Sequence, residues 1–391
     1  MSAAAPFAAM VERLIAFDTV SRNSNLELIA VAREILAATG AKLRFTYDRD
    51  RAKANLFATL GPEKSGGLVL SGHSDVVPVD GQEWSSGPFS PEIRDQRLYG
   101  RGAADMKGFL GVALVLAPEF AKLDLRRPVH FAFSFDEEVG CTGVRHLLSD
   151  LQAAEIRPAV AIIGEPTEMR VVSAHKSGAV IETLVRGLEG HSSAPAQGAS
   201  AVMMAGEFVA LLAKHQTMLT SERDGFFDPP YTTLQANMIS GGTAVNVLAR
   251  DARIVWEYRA LPDRDPDAII AWITGEADAT ILPRYRAGAP EAAFETRICA
   301  AYPGLAHDDD SPALRLASEA GGSNRSHAVS YGTEAGLFRQ AGIPAVICGP
   351  GSIAQAHKAD EFIALEQLDK CAAFLRRLIA RWNRDSDEVQ P

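Results

Sequence analysis

Histidines and carboxylates gather in five short patches of this chain. They read Ser-Gly-His73-Ser-Asp75, Gly-Arg-Gly-Ala-Ala-Asp105-Met-Lys-Gly, Phe-Asp136-Glu137-Glu138-Val-Gly, Ile-Gly-Glu165-Pro-Thr and Gln-Ala-His357-Lys-Ala-Asp-Glu. Each sets a His or a carboxylate at the end of an apolar run or in a glycine-rich turn. Two imidazoles with several carboxylates make a mixed nitrogen and oxygen ligand set. Such a set suits Zn²⁺, Co²⁺ or Mn²⁺ better than Mg²⁺, which prefers oxygen alone. Brought together by a fold, the patches are enough for two metals. A two-metal site with a carboxylate to spare points to hydrolysis.

Taken singly, each residue also has a plainer reading. In extended chain His73 and Asp75 face the same side. They are a polar turn pair, or an imidazole whose second N–H is held by an acceptor. Asp105 opens a predicted helix, where Asp is commonly an N-cap. Asp136, Glu137 and Glu138 are a solvated acidic loop, or a cluster whose repulsion a cation relieves. Glu165 closes an apolar run, and His357 lies in a polar, Gly-Pro-Gly-Ser-rich stretch. His191, among Gly and Ser, reads as an exposed turn. Arg259 follows an alternating strand; its fork matches an α-carboxylate, and Asn246 joins it as a candidate for that clamp. Glu334 is a first-turn charge favoured by the helix dipole, or a reader of a cationic side-chain amine. Cys141 reads as a small buried residue rather than a ligand.

The elements around these residues change character along the chain. Phe7–Phe17 and Leu26–Thr39 carry helical spacing, with Gly40 as a stop. Leu56–Leu60, Leu68–Ser71, Val129–Phe135 and Val160–Ile163 read as buried strands of a mixed or parallel sheet. Met106–Leu123 and Gly143–Ala153 read as covering helices. The alternation predicts a mixed-sheet α/β sandwich, in which ligands gather beyond the strand ends. From about 177 the order becomes β-α-β-β-α-β, that of a small ferredoxin-like α+β domain. We therefore expect a metal-binding catalytic domain at 1–176 and 292–391, with an insertion at 177–291. The polar segment 383–391 is expected to fray.

Composition limits the partners. The chain has 391 residues, 47% apolar and 23% charged, with net charge −10. The negative balance argues against nucleic acid, which needs a basic face. No run is long enough to cross a bilayer, and the first residues lack a signal-peptide pattern. Cys141, Cys299, Cys348 and Cys371 are too dispersed for a disulfide framework, so a reducing cytoplasm is expected.

In order, the five patches resemble the co-catalytic zinc metallopeptidases, a family that includes acetylornithine deacetylase, succinyl-diaminopimelate desuccinylase, aminoacylase-1 and glutamate carboxypeptidases. The resemblance spans almost the whole chain. Ala174-His175-Lys176, Gly332-Thr333-Glu334-Ala335 and Gly349-Pro350-Gly351-Ser352-Ile353 place it nearest the members acting on N-acetylornithine. Gly241-Gly242-Thr243-Ala244-Val245-Asn246-Val247 also matches, though Leu248-Ala249 stand where Pro often follows. Ser74 replaces a frequent Thr and keeps the hydroxyl.

The resemblance implies two zinc ions, with cobalt as the alternative. It makes His73 and Glu165 ligands to one, His357 and Glu138 ligands to the other, and Asp105 the bridge. Asp75 would orient His73, and Glu137 would be the general base. His191 would stabilise the oxyanion, often from the second subunit of a dimer. The inserted domain would be lid and dimerisation surface. The implied reaction is hydrolysis of N-acetyl-L-ornithine to acetate and L-ornithine. Alternatives are a desuccinylase, another N-acyl amino acid hydrolase, or a non-catalytic binding protein on the same fold.

Overall fold

A computed structural model describes residues 4–262 and 264–384. Of the segment expected to fray, 385–391 lie outside the described residues. The chain divides into two compact units, one formed by Met1–Ala174, Leu305–His327 and Thr333–Pro391, the other by His175–Gly304 and Ala328–Gly332.

The first unit is built on an eight-stranded mixed sheet. Its order is Lys42–Tyr47, Ala54–Leu60, Val129–Ser134, Leu68–His73, Val160–Pro166, Ala345–Gly349, Val172–His175 and His327–Val329. Val129–Ser134, Leu68–His73, Val160–Pro166 and Ala345–Gly349 run parallel. All four are buried along their length, which is why they read as unbroken apolar runs. Helix Gly108–Phe120 is apolar almost all round because Ala5–Ile15 and Leu365–Trp382 pack against it.

Three neighbouring parallel strands end at the same edge, and each delivers chemistry there. Leu68–His73 ends on His73, Val129–Ser134 leads into Asp136-Glu137-Glu138, and Val160–Pro166 carries Glu165 near its end. This is the carboxyl edge of the sheet, where α/β folds bind ligands.

The helix expected from Met106 begins differently. Ala103–Lys107 forms a π-type turn, and the regular helix starts at Gly108. Asp105 (φ −121°, ψ 93°) and Met106 (φ −133°, ψ 35°) leave helical geometry. Gly102 enters the turn at φ +82°, a conformation glycine adopts without strain. Asp105 is therefore no N-cap; the turn carries its side chain into the site.

The second unit follows the order β-α-β-β-α-β. Its four antiparallel strands lie as Thr233–Gly241, Asp251–Ala260, Ser177–Arg186 and Ala293–Tyr302. Helices Ala201–Leu219 and Pro266–Thr280 complete it. Every second residue of Asp251–Ala260 is buried, and Ile254, Trp256 and Tyr258 share a core with Phe208 and Ile273. A boundary at 291 falls short: Ala293–Tyr302 pairs with Ser177–Arg186 and supplies the fourth strand. Ala328–Gly332 also groups with this unit.

Candidate metal centre

The patches within the first unit converge. His73 is 1% exposed, and its Nδ1 lies 2.9 Å from the backbone oxygen of Asp75. That contact makes Nδ1–H the donor and leaves Nε2 to ligate. Nε2 is 3.1 Å from Asp105 Oδ1 and 3.8 Å from Glu165 Oε1. His357 Nε2 is 3.4 Å from the other Asp105 oxygen and 3.2 Å from Glu138 Oε2. Asp105 thus faces one imidazole with each oxygen.

These spacings suit cations. Two donors about 2.05 Å from a tetrahedral Zn²⁺ stand about 3.3 Å apart. Donor atoms of His73, Asp105 and Glu138, and of His73, Glu137 and Glu165, each lie within 4.8 Å of one another. Those groupings overlap at His73. The shorter contacts separate the cluster instead into His73, Glu165 and Oδ1, against His357, Glu138 and Oδ2. Glu138 Oε1 is buried without a hydrogen-bond partner among the described residues, so a cation would satisfy it.

The electrostatics agree. Burial, then nearby carboxylates, raise Glu137 and Glu165 well above the usual carboxylate range, and Glu138 is raised too. Burial opposes charge on His73, but hydrogen bonding to Asp105 and the acids around it raise the imidazole well above its ordinary value. Hydrogen bonds to Asp105 and Glu138 push His357 up to about 10. Burial works against ionisation of Asp105, yet its bonds with His357 and His73 hold it below the usual range. Divalent cations held here would stabilise the same acids.

Asp75 plays a different part from the one its spacing indicates. His73 takes the Asp75 carbonyl, while the carboxylate Oδ1 stands 3.7 Å from Nδ1. The carboxylate accepts from the amides of Glu137 (3.1 Å) and Glu138 (3.3 Å) and from Ser21 Oγ (2.7 Å). Asp75 therefore positions the acidic loop as well as the imidazole. Asp136 leaves the cluster altogether, paired with Lys53 Nζ at 2.6 Å. Cys141 is buried, and its thiol donates to Glu137 Oε1 at 3.4 Å. Ser74 uses its retained hydroxyl, donating to Ser134 O and accepting from Asn25 Nδ2.

Glu334 does not fit direct contact with a substrate amine. It is 1% exposed, and its oxygens accept from Ser134 Oγ and, at 3.4 Å, from Ser71 Oγ. Burial pushes its carboxyl up to about 7. It braces the two strands beneath the centre.

His191, Asn246 and Arg259 belong to the second unit. Gly190–His191 pairs with Val247–Leu248, and the amide of Ser192 bonds Asn246 O, so His191 and Asn246 are neighbours. His191 is exposed. Its Nδ1 accepts from the Ser193 amide (3.2 Å) and hydroxyl (2.7 Å), which puts the ring proton on Nε2. The Arg259 guanidinium donates to the Tyr302 hydroxyl and to Glu257 Oε2 at 3.0 Å. Gly332 is required beside that ring: a Cβ there would meet Tyr302 Cε2 at 1.9 Å.

Sequence reasoning passed over Glu361 and Arg101. Both are buried and ion-paired at 2.8 Å. The available signal was their place in the motifs: Glu361 closes the His357 patch and Arg101 lies in that of Asp105.

Residues 69–381 match the model of peptidase family M20/M25/M40. The chain belongs to this family. Among M20/M25/M40 relatives, the acetylornithine deacetylase of Myxococcus xanthus is 37% identical over 380 residues, covering 96% of this chain and 97% of its own. That of Pasteurella multocida is 32% identical over 385 residues, covering 96% and 98%. The M20 fold recurs in a metallo-carboxypeptidase from Sulfolobus solfataricus, with TM-score 0.77, 16% identity and coverage of 98% and 100%. A dinuclear metal-binding M20 peptidase from Bacillus subtilis gives TM-score 0.68 at 16% identity, with coverage of 97% and 98%.

Proposed function

We propose that this chain is a metal-dependent amidohydrolase converting N-acetyl-L-ornithine and water to acetate and L-ornithine, a step of arginine biosynthesis. The observation that carries the reading is Asp105, whose two oxygens face two different imidazoles. The substrate follows from similarity to acetylornithine deacetylases along 96% of the chain. His73, Glu165 and Asp105 would hold one divalent cation, and His357, Glu138 and Asp105 the other. Zn²⁺ is the first candidate and Co²⁺ the second, because imidazole joins carboxylate in both sets. When bound, such a pair lowers the pKa of water and polarises an amide carbonyl.

The remaining work falls to the chain. Glu137 takes a proton from the attacking water and returns it to the amine nitrogen as the C–N bond breaks. Its raised proton affinity, from burial and then neighbouring charge, suits a group that must accept and release. Asp75 holds Glu137 in place through the backbone amide. His191 offers its Nε2–H to the developing oxyanion. Arg259, oriented by Tyr302 and Glu257, is the candidate for the substrate α-carboxylate, with Asn246 as second contact.

The second unit supports a homodimer, since its edge strand Thr233–Gly241 exposes Met238 (59%) and Ile239 (56%). The four cysteines are free thiols, which suits the cytoplasm. Among the described residues no helix is long and apolar enough to cross a membrane.

Turnover of N-acetyl-L-ornithine and N-succinyl-L,L-diaminopimelate, with Zn²⁺ or Co²⁺ added, tests the reading. Preference for the acetyl substrate is expected. Preference for the succinyl substrate would move the assignment to a desuccinylase. No turnover of any N-acyl amino acid by metal-loaded protein would overturn it.

A further inference from the structure

The two ligand-bearing loops of the centre are joined by a buried polar clamp. Glu361 Oε2 accepts from the Gly102 amide (2.9 Å) and Arg101 Nη1 (2.8 Å). Oε1 accepts from the amides of Ala104 (2.9 Å) and Asp105 (3.0 Å). A carboxylate has about four lone-pair positions, and four donors fill them. Arg101 also donates from Nη1 to Lys358 O (3.1 Å) and from Nη2 to Gln82 Oε1 (2.6 Å). The Gln82 amide in turn donates to His357 O at 3.1 Å. Arg101 and Glu361 are each 1% exposed.

The ligands differ in what holds them. His73 and Glu165 sit on buried strands of the central sheet. His357 lies outside any helix or strand, at φ +64°, with its side chain 54% exposed. Asp105 sits on a turn whose backbone leaves helical geometry. Neither has a regular element to fix it, and the clamp grips the backbone of both.

We propose that Glu361, acting through Arg101 and Gln82, is the positioning residue that brings His357 and Asp105 into register, so that the cation site they share with Glu138 depends on it. The inference rests on the two-cation reading above. The carboxylate works by preorganisation: it fixes the Asp105 amide directly, the Lys358 carbonyl through the guanidinium, and the His357 carbonyl through the guanidinium and Gln82. In Glu361→Gln the side chain keeps its shape, but an NH₂ group faces donors where an oxygen accepted.

Calorimetric titration of metal-depleted full-length protein with Co²⁺, followed in parallel by visible absorption, tests this. Wild type should bind in two steps, and His357→Ala identifies the step belonging to the His357 site by removing it. Glu361→Gln should weaken that step by about tenfold or more and alter its absorption bands, a size typical of outer-sphere partners of metal ligands. The step at His73 and Glu165 should move less. Equal weakening of both steps, or none, would overturn the clamp. If Glu361→Gln does not fold, Gln82→Ala carries the test, because it leaves the buried ion pair in place. It should weaken the same step, and wild-type binding of both ions would refute the proposal. A wild type that binds no pair of cations would instead sink the two-cation reading itself.

Discussion

Asp75 shows how one residue can serve two proposed metal ligands and the proposed base together. Its carbonyl sets the His73 tautomer, and its side chain receives the amides of Glu137 and Glu138. In Asp75→Asn, an NH₂ group would point at one of those amide donors. We expect turnover to fall by about 10- to 100-fold with weaker metal retention, measured by kcat and by metal analysis after dialysis. Glu137→Gln should act differently. General acid–base groups contribute about 10²- to 10⁴-fold, so kcat should drop by that factor while two metals per chain remain. Retained turnover in Glu137→Gln would remove Glu137 from the proton-transfer role.

At the scale of elements, the strands carrying the site were legible and their tertiary partners were not. Leu68–His73, Val129–Ser134 and Val160–Pro166 show as apolar runs because both faces of each are covered, and their ends point to the site directly. Ala293–Tyr302 fell outside the expected boundary because it is an edge strand with no fully buried residue, and its charged and polar positions Glu295, Thr296 and Arg297 interrupt the pattern. Glu334 looked available to a substrate because sequence displays a charge but not the Ser134 and Ser71 hydroxyls that engage it. The Asp105 turn looked like a helix start because the acceptor of its amides, Glu361, lies far along the chain.

The central sheet also carries a pH liability. His130 is buried on Val129–Ser134, between Thr59 Oγ1 (2.9 Å) and Gly66 O (3.2 Å), and burial lowers its pKa to about 4. Between the ordinary value near 6.5 and 4, the unfolded chain binds a proton that the folded one does not. Stability therefore falls as pH drops through that window, by up to about 3 kcal/mol at about 1.4 kcal/mol per pH unit. Melting temperatures of metal-depleted protein from pH 7 to 4.5 should decline, and His130→Asn should decline less steeply. Parallel curves for the two proteins would exclude His130 as the source.

For the whole molecule, assembly comes down to one sheet edge. Thr233–Gly241 lies at the end of the four-stranded sheet, paired only with Asp251–Ala260 among the described strands. Its residues from Gln235 onward are largely exposed, including Met238 and Ile239. Val245 is fully exposed just beyond it, and Met203 on helix Ala201–Leu219 is 63% exposed. Edge strands of monomers are usually protected by charge, proline or a bulge. This one has a register shift between Ala236 and Met238, but Met238-Ile239-Ser240-Gly241 carries neither charge nor proline. Pairing with a second copy would cover these side chains and engage the free backbone edge in an isologous interface. We therefore expect a dimer by light scattering, and a monomer when Met238→Glu and Ile239→Lys are combined. That double variant should keep its two-step Co²⁺ binding, because all the proposed metal ligands lie in the other unit. A wild type that is monomeric at high micromolar concentration would show that the edge is tolerated in solution rather than used.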